Sequence, residues 1–265
     1  MQSDSTNPQT LKLTFLGTGT SQGVPLIGCH CRVCSSGDPR DKRLRTAALL
    51  TCGQEHIVID AGPDFRQQML ANRVDTLRAI LLTHEHADHI FGLDDIRSYN
   101  WIQKRPTDIY AEPRVHEAIK RIYHYVFLRW KYPGIPQMEL HELSNQPFRI
   151  DGLEFIPIRC YHHKLPVLGF RTGQLTYLTD ANAIPEEELE KIKWTGVLVI
   201  NALRREKHVS HFSLDEALDM IRRIQPGKAY LTHISHAMGL YREVESELPE
   251  NVFLAYDGLQ VEIGI

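Results

Sequence analysis

Six consecutive residues, His84 to His89, place three imidazoles and two carboxylates directly after an apolar run, in the stretch LLTHEHADHI. Five titratable side chains this close together are costly to bury unless a cation draws them in. His84 and His86 are two residues apart in an extended segment, so their side chains leave the same side of the chain. Imidazoles with a carboxylate suit zinc or manganese, whereas calcium and magnesium prefer cages of oxygen ligands. The pattern therefore predicts a metal site, and a solvated polar turn is the alternative.

Three further candidate ligands follow apolar runs in the second half of the chain. His162 lies in CYHHKLP, Asp180 ends TYLTD and His233 lies in YLTHISH. Each alone reads as an ordinary hydrogen-bonded polar residue, but strand ends are where catalytic residues gather in folds of alternating strands and helices. We therefore predict that the three join the histidine-rich stretch in one metal centre. His163 is the alternative to His162.

A second cluster, GCHCRVC, holds three cysteines within six residues, namely Cys29, Cys31 and Cys34. Three thiolates in a tight loop require a fourth ligand and a soft or borderline ion, most simply a structural zinc. We predict His236 as the fourth ligand, because it lies three residues after His233 and must pass near the same end of the molecule. His30 is the competing ligand, and three unliganded thiols are the alternative to a metal site. The other two cysteines are interpreted as buried core thiols, Cys52 and Cys160.

Apolar runs closed by glycine or polar residues predict strands, and apolar residues at helical spacing predict helices. In the first third, strands are predicted at residues 11 to 19, 47 to 52, 56 to 62 and 79 to 84, in a mixed or antiparallel sheet. Helices are predicted at 64 to 74 and 92 to 103. The second half repeats this order, with strands at 149 to 160, 168 to 180, 196 to 201 and 228 to 236, and helices at 185 to 193 and 213 to 224. Ser213 and Glu216 form a capping box for the last of these helices.

Length and composition indicate one domain. A chain of 265 residues with 42% hydrophobic residues can bury one substantial core, which we assign to residues 11 to 265 after a disordered tail at 1 to 10. A net charge of -3 without a long basic run argues against stable binding of duplex nucleic acid. Neither a signal peptide nor a membrane-spanning run is recognisable. With clustered cysteines, these features favour the reducing cytoplasm.

The segment 112 to 136, EPRVHEAIKRIYHYVFLRWKYPGIP, is rich in aromatic residues and is predicted to be a mostly helical insert. It has three open roles, which are packing on the body of the domain, lining the substrate pocket and contacting a second subunit. The oligomeric state, monomer or homodimer, is therefore left open by the sequence.

The stretch THEHADH resembles the signature of the metallo-β-lactamase-fold superfamily, and LGTGTSQGVPLIGCHCRVC with LTHISH is similar to its PhnP-like branch. The resemblance spans residues 11 to 258. It implies an α/β (α+β) fold of the αββα sandwich type, with metals at one edge between two sheets. PhnP-like enzymes are phosphodiesterases that act on a cyclic ribose phosphate and also open cyclic nucleotides. The resemblance therefore implies a phosphoric diester hydrolase.

The resemblance also implies a role for each site residue. One ion is expected on His84, His86 and His162. The other ion is expected on Asp88, His89 and His233. Asp180 would bridge the two ions. The structural zinc is expected on Cys29, Cys31, Cys34 and His236. His211 matches the general acid of the branch, and we count Asp88 with it among the catalytic residues.

The local sequence also bears on the roles of two residues outside the expected ligand set, His211 and Asp60. His211 stands just before the capping box, at a helix N-terminus, where the helix dipole disfavours a fixed positive charge and so favours proton donation. His208 is the alternative acid. Asp60 ends the run IVIDAG and is expected either to orient a ligand histidine or to serve in a helix cap or turn.

The predicted function is that of a dinuclear metal-dependent hydrolase acting on small cyclic or linear phosphodiesters, in which a hydroxide bridging the ions attacks phosphorus. The expected cofactors are two divalent ions, zinc or manganese, besides the structural zinc. A thioester or other acyl hydrolase is the nearest alternative, because the same centre polarises carbonyl groups. A non-catalytic carrier of the PqqB-like kind, which shares a similar cysteine loop, is a further alternative. Seven candidate ligands argue against a carrier, since merely holding a small molecule needs few of them.

Overall fold

Two seven-stranded sheets form the centre of the fold, and the computed structural model describes residues 10–130 and 132–264. In spatial order, the strands of the first sheet are β14 (Gln260–Gly264), β1 (Thr10–Gly17), β2 (Ala47–Cys52), β3 (Glu55–Ile59), β4 (Ala79–Leu81), β5 (Thr107–Ala111) and β6 (Met138–Glu142). Those of the second sheet are β13 (Val252–Leu254), β12 (Lys228–Thr232), β11 (Val197–Asn201), β10 (Leu175–Tyr177), β9 (Leu165–Thr172), β8 (Leu153–His162) and β7 (Phe148–Ile150).

The two sheets have the same internal plan. Strands β3 to β6 pair in parallel in the first sheet, as do β10 to β13 in the second. The remaining neighbours pair antiparallel. The first third of the chain therefore lies in a mixed sheet, one of the two kinds predicted. The repeated order of elements in the second half of the sequence corresponds to a second sheet with the same plan.

Helices cover the outer face of each sheet. Seven α-helices are present in the described ranges: α1 (Phe65–Ala71), α2 (Ala87–Ile90), α3 (Arg97–Gln103), α4 (Pro113–Ile122), α5 (Glu186–Leu189), α6 (Leu214–Ile224) and α7 (Tyr241–Glu247). Residues of α1 to α4 share a buried apolar cluster with the first sheet, and residues of α5 to α7 share one with the second. A third cluster fills the space between the sheets. This layering is the predicted αββα sandwich.

Strand β2 illustrates why the central strands read as continuous apolar runs. Ala48 and Leu50 face the opposite sheet, whereas Ala47 and Leu49 face the helices on the outside. Because successive side chains of a strand point to opposite faces, a strand covered on both faces needs apolar residues at every position. The helices need only one apolar face.

Several predicted boundaries change in the structure. The predicted helix at 92 to 103 is a 3-10 turn at Leu93–Ile96 followed by α3, and the strand predicted at 228 to 236 ends at Thr232. Thr10 already belongs to β1, and the rest of the predicted tail, residues 1–9, lies outside the described residues. The capping box is confirmed, since Ser213 and Glu216 bond to each other's backbone amide groups.

The aromatic segment 112 to 136 connects two parallel strands, β5 and β6, so it is the crossover of a βαβ unit rather than an insert into the fold. Of its described residues, only those in α4 and in a 3-10 turn at His124–Val126 are helical. Strands β5, β6, β13 and β14 and helices α2 and α7 were not recognised in the sequence. Of the helices in the described ranges, none is long and apolar enough to cross a bilayer.

Candidate metal centre

The candidate metal centre lies at the edge of the sandwich where strands of both sheets end. His84 follows β4 after two intervening residues, Asp180 follows β10 after two, and His233 follows β12 directly. These strands each pair in parallel with a neighbour, and the carboxyl ends of such strands are the usual place for a binding site. His162 is the last residue of β8, and the short helix α2 and its N-cap supply the rest: His86, Asp88 and His89. All seven predicted ligands therefore meet in one place.

Asp180 occupies the middle of the cluster and is 2% exposed. Its Oδ1 lies 3.1 Å from Nε2 of His233. Its Oδ2 lies 3.4 Å from Nε2 of His89 and 3.9 Å from Nε2 of His84. The carboxylate is thus shared by histidines of both predicted groups, which is the position that a bridging ligand requires.

The first group brings together imidazoles from both sheets. Nε2 of His84 and Nδ1 of His86 are 3.0 Å apart, and the rings of His86 and His162 have centroids 5.1 Å apart. His163, the alternative to His162, is exposed in the turn between β8 and β9, with a left-handed φ of 57°. Hairpin geometry therefore places His162 in the cluster and leaves His163 outside it.

The second group is formed by Asp88, His89 and His233. Oδ2 of Asp88 lies 3.2 Å from Nε2 of His89 and 3.8 Å from Nε2 of His233. With Asp180, these residues offer four potential ligand atoms that all lie within 4.8 Å of one another. Four such atoms can surround one ion.

Hydrogen bonds behind the cluster orient two of the imidazoles. Asp60 accepts a hydrogen bond of 2.7 Å from Nδ1 of His89 and another from the backbone N–H of Thr83. The structure therefore shows the first of the two roles expected for Asp60. Nδ1 of His162 donates to the backbone carbonyl of Ser210 at 2.8 Å. Because each Nδ1 carries a proton, Nε2 is in each ring the nitrogen that can bind a metal ion.

Three threonines that the sequence analysis missed stand directly before ligand residues, in a recurring Leu-Thr-His or Leu-Thr-Asp pattern: Thr83, Thr179 and Thr232. Thr83 donates its hydroxyl hydrogen bond to Asp60, and its Oγ1 lies 2.9 Å from Nδ1 of His84. Thr179 donates to Oδ1 of Asp180 at 2.7 Å. The repetition of this tripeptide at three strand ends was a signal available in the sequence.

Backbone conformation at the centre is strained. Asp60, Asp180 and His233 have φ values of 65°, 55° and 55°, in the left-handed region that residues with a Cβ rarely adopt. Such conformations cost free energy and persist where the surrounding structure enforces them, commonly at functional sites. The backbone is also tightly packed at Gly62, because a Cβ there would lie 1.9 Å from the carbonyl oxygen of Asp88.

Charges at the centre favour a cation. Burial alone would disfavour the charged forms, but the imidazoles of His233 and His89 hold the pKa of Asp180 well below its ordinary value. In turn, and against the effect of burial, Asp180 and Asp88 raise the pKa of His233 to about 9. Burial lowers the pKa of His84 well below its ordinary value. Without a metal, protonated imidazoles thus balance the buried carboxylates.

The donor atoms fit divalent metal ions. Nε2 of His89 and both ring nitrogens of His233 are buried and have no hydrogen-bond partner among the described residues. Nε2 of each ring lies within ion-pair distance of the carboxylates of Asp88 and Asp180, so these two nitrogens face the space that an ion would occupy. Buried polar atoms without partners require a ligand. Imidazole and carboxylate together suit zinc or manganese.

His211 lies beside the centre, and its ring centroid is 4.5 Å from that of His162. One of its ring nitrogens is within 4.8 Å of ligand atoms of His162 and Asp180. Burial, and then the neighbouring His233, lower the pKa of His211 to about 3. His208, the alternative acid, lies next to His211, with its ring centroid 5.2 Å from that of His211.

The cysteine cluster forms a separate site. Nδ1 of His236 lies 3.4 Å from Sγ of Cys29, 3.3 Å from Sγ of Cys31 and 3.6 Å from Sγ of Cys34. These four ligand atoms lie within 4.8 Å of one another, whereas the competing His30 is exposed and does not belong to the group. Three sulfurs around one imidazole nitrogen match the ligand set of a closed tetrahedral zinc site.

The sandwich and the histidine-rich edge define a protein of the metallo-β-lactamase fold. Residues 55–234 match the family model described as a Beta-lactamase superfamily domain, and the chain belongs to this superfamily. The fold implies divalent metals. The predicted family resemblance is therefore confirmed.

The proteins to which the chain is similar have names that indicate different activities. It is 44% identical over 256 residues to the octanoyltransferase of Porphyromonas gingivalis (strain ATCC BAA-308 / W83), covering 96% of this chain and 52% of that protein, so it spans about half of that relative's length. The crystal structure of a new diphosphatase from the PhnP family has a TM-score of 0.90 and 36% identity, covering 96% of this chain and 97% of the other. Zn(2+)-bound PqqB from Methylobacterium extorquens shares the fold, with a TM-score of 0.75 and 19% identity over 94% of this chain and 99% of that one.

Proposed function

We propose that the chain hydrolyses small phosphodiesters, cyclic or linear, with the help of two divalent ions. The observation that carries the proposal is the position of Asp180 between two groups of potential ligands, with the imidazole of His211 beside them. A shared carboxylate suits two ions held close together, and two ions suit an in-line displacement at phosphorus. The 36% identity and matching fold of a PhnP-family diphosphatase support hydrolysis at phosphorus.

Seven residues would hold the two ions. The first ion would be bound by His84, His86 and His162. The second would be bound by Asp88, His89 and His233. Asp180 would contact both. When bound, such ions supply a water of lowered pKa and neutralise charge that develops on the phosphoryl oxygens.

The other residues of the centre position atoms and move a proton. Asp60 and the carbonyl of Ser210 keep the protons of His89 and His162 on Nδ1, so that Nε2 of each ring stays available to a metal. Asp88 would take part in catalysis as a ligand of the second ion. His211 would donate a proton to the leaving oxygen of the substrate from a ring nitrogen, because an alkoxide is a poor leaving group without that proton. Since its pKa is low without substrate, His211 would take up this proton beside the bound anionic phosphate, whose negative charge stabilises the imidazolium.

We also propose that the cysteine cluster binds one structural zinc. Its four ligand atoms leave no open position for a substrate, as is typical of zinc sites that stabilise a fold. Thiols must stay reduced to bind zinc, which favours the cytoplasm as the compartment of this protein.

A second candidate function is the hydrolysis of a thioester or another acyl compound. It is favoured by the 44% identity to a protein named octanoyltransferase, although the chain spans about half of that protein. The same metal centre can polarise a carbonyl oxygen as readily as a phosphoryl oxygen.

One experiment separates these functions. The metal content of protein purified without added metal is measured first, and the protein is then given cyclic nucleotides, linear diesters, thioesters and a β-lactam. The Asp180→Ala variant serves as the control for contaminating activity. We expect turnover of phosphodiesters at rates far above those of the control. Preference for thioesters would support the acyl hydrolase, and tight binding of a small molecule without turnover would support a carrier.

A further inference from the structure

We propose that Arg114 is a positioning residue, which holds the His84 and His86 pair at the distance from His162 that one metal ion requires. This inference rests on the proposed function, because it assumes that these three imidazoles bind the same ion. It concerns a side chain that belongs to neither metal-binding group and that no sequence pattern singled out.

The guanidinium of Arg114 joins the two sheets at the site. Arg114 is the second residue of α4, and its Nη1 donates a hydrogen bond to Oε2 of Glu85, the residue between His84 and His86. Its Nη2 donates to the backbone carbonyl oxygen of Pro166. Pro166 pairs with Tyr161 in the register of β8 and β9, directly beside His162. One side chain thus contacts the segment that carries His84 and His86 and the strand that pairs with β8 beside His162.

The first group of ligands spans the two sheets. His84 and His86 extend from the first sheet, whereas His162 ends a strand of the second, and the His84 and His162 ring centroids are 5.9 Å apart. The backbone N–H of Leu168 donates to the carbonyl oxygen of Thr83, which ties the sheets together deeper inside. Metal–ligand distances vary by only about 0.2 Å in a competent site, so a small shift of His84 and His86 relative to His162 would weaken the binding of this ion.

The chemistry of the arginine suits this task. A guanidinium presents two N–H groups in a rigid plane, so it can fix the relative position of two acceptors, whereas an ammonium is a single flexible point charge. Glu112 supports the arrangement, since its Oε2 lies 3.4 Å from Nη2 of Arg114 and accepts a hydrogen bond of 2.9 Å from Arg159. Among the hydrogen bonds and ion pairs of the described residues, none joins Arg114 to the second group of ligands, Asp88, His89 and His233.

The test measures binding of cobalt(II) to each of the two active-site positions, by spectroscopic titration against a competing chelator. We compare the full-length parent with the Arg114→Met and Arg114→Lys variants. Arg105→Met is the matched control, because Arg105 also joins a carboxylate, Asp108, to a backbone carbonyl, but at the other end of the same sheet. The His162→Ala variant identifies which spectral signal belongs to the first ion.

We expect Arg114→Met to bind the first ion about 10- to 100-fold more weakly, with the second ion and the cysteine site unchanged. Arg114→Lys should restore little, and Arg105→Met should bind both ions as the parent does. Equal loss of both ions, parent-like binding in Arg114→Met, or the same loss in Arg105→Met would overturn the proposal. If the parent binds two ions but does not hydrolyse phosphodiesters, the proposed function fails while this inference is still decided by the titration. A parent that binds no ion at His162 would refute both.

Discussion

The rings of His211 and His233 stack face to face, with an interplanar angle of 20° and centroids 4.7 Å apart. His233 in turn lies 3.1 Å from the central carboxylate of Asp180. Packing therefore holds the ring of His211 against the candidate metal centre. In the sequence, His211 lies two residues before Ser213, the N-cap of α6. This position allows it to reach a substrate without being among the seven predicted ligands.

The first prediction concerns the proton that His211 donates. We expect His211→Ala to keep both ions and to lose about 100-fold or more of its activity on a cyclic nucleotide. Activity on bis(p-nitrophenyl) phosphate should fall much less, because p-nitrophenolate leaves without a proton. Steady-state kinetics with both substrates, together with metal analysis, measure this. His208→Ala is the matched control, and equal losses on the two substrates or loss of metal in His211→Ala would show a different role.

The second prediction concerns the shared carboxylate. Asp180→Ala should bind both ions more than about 100-fold more weakly, because a bridging ligand is the only one that both ions share. Asp88→Ala should weaken mainly the second ion, since Asp88 lies beside His89 and His233. Metal content after gel filtration and crystallographic occupancy measure the two effects. Two well-occupied ions in crystals of Asp180→Ala would rule out the bridge.

The third prediction concerns the cysteine cluster. Cys31→Ser should lose one tightly held zinc, and its melting temperature should fall by about 5 °C or more, because the binding energy of a structural zinc contributes to folding. Zinc analysis after mild chelation and thermal unfolding provide the measurement. Cys52→Ser is the control, since Cys52 lies outside both sites. The assignment is wrong if Cys31→Ser keeps the metal content and melting temperature of the parent.

The fourth prediction concerns the close approach at Gly62. A Cβ at this position would lie 1.9 Å from the carbonyl oxygen of Asp88, so Gly62→Ala must displace the start of α2. We expect a loss of about 1–3 kcal/mol in the free energy of unfolding and weaker binding of the second ion. Gly37→Ala is the control, because a Cβ there would meet no atom within 4 Å. Parent-like stability and metal binding in Gly62→Ala would show that the backbone at α2 can shift without consequence.

Local sequence determined the parts of the site whose members are close along the chain. His84, His86, Asp88 and His89 fall within six residues, and their spacing alone brings them together at a strand end. The three clustered cysteines and the capping box at Ser213 are local in the same way. Alternation of apolar runs with turns also predicted the strands that are buried on both faces, because burial requires apolar side chains wherever the chain is covered.

Only the tertiary structure decided which distant residues join these local groups. His162 and His163 are chemically identical, and the β8–β9 register, together with the left-handed turn at His163, selects the first. His236 rather than His30 meets the three sulfurs because the chain after β12 returns to the cysteine loop. The link from Arg114 to Glu85 and Pro166 has no counterpart in any local pattern. Such contacts depend on strand pairing and on the packing of one sheet against the other, which are set by interactions between segments far apart in the sequence.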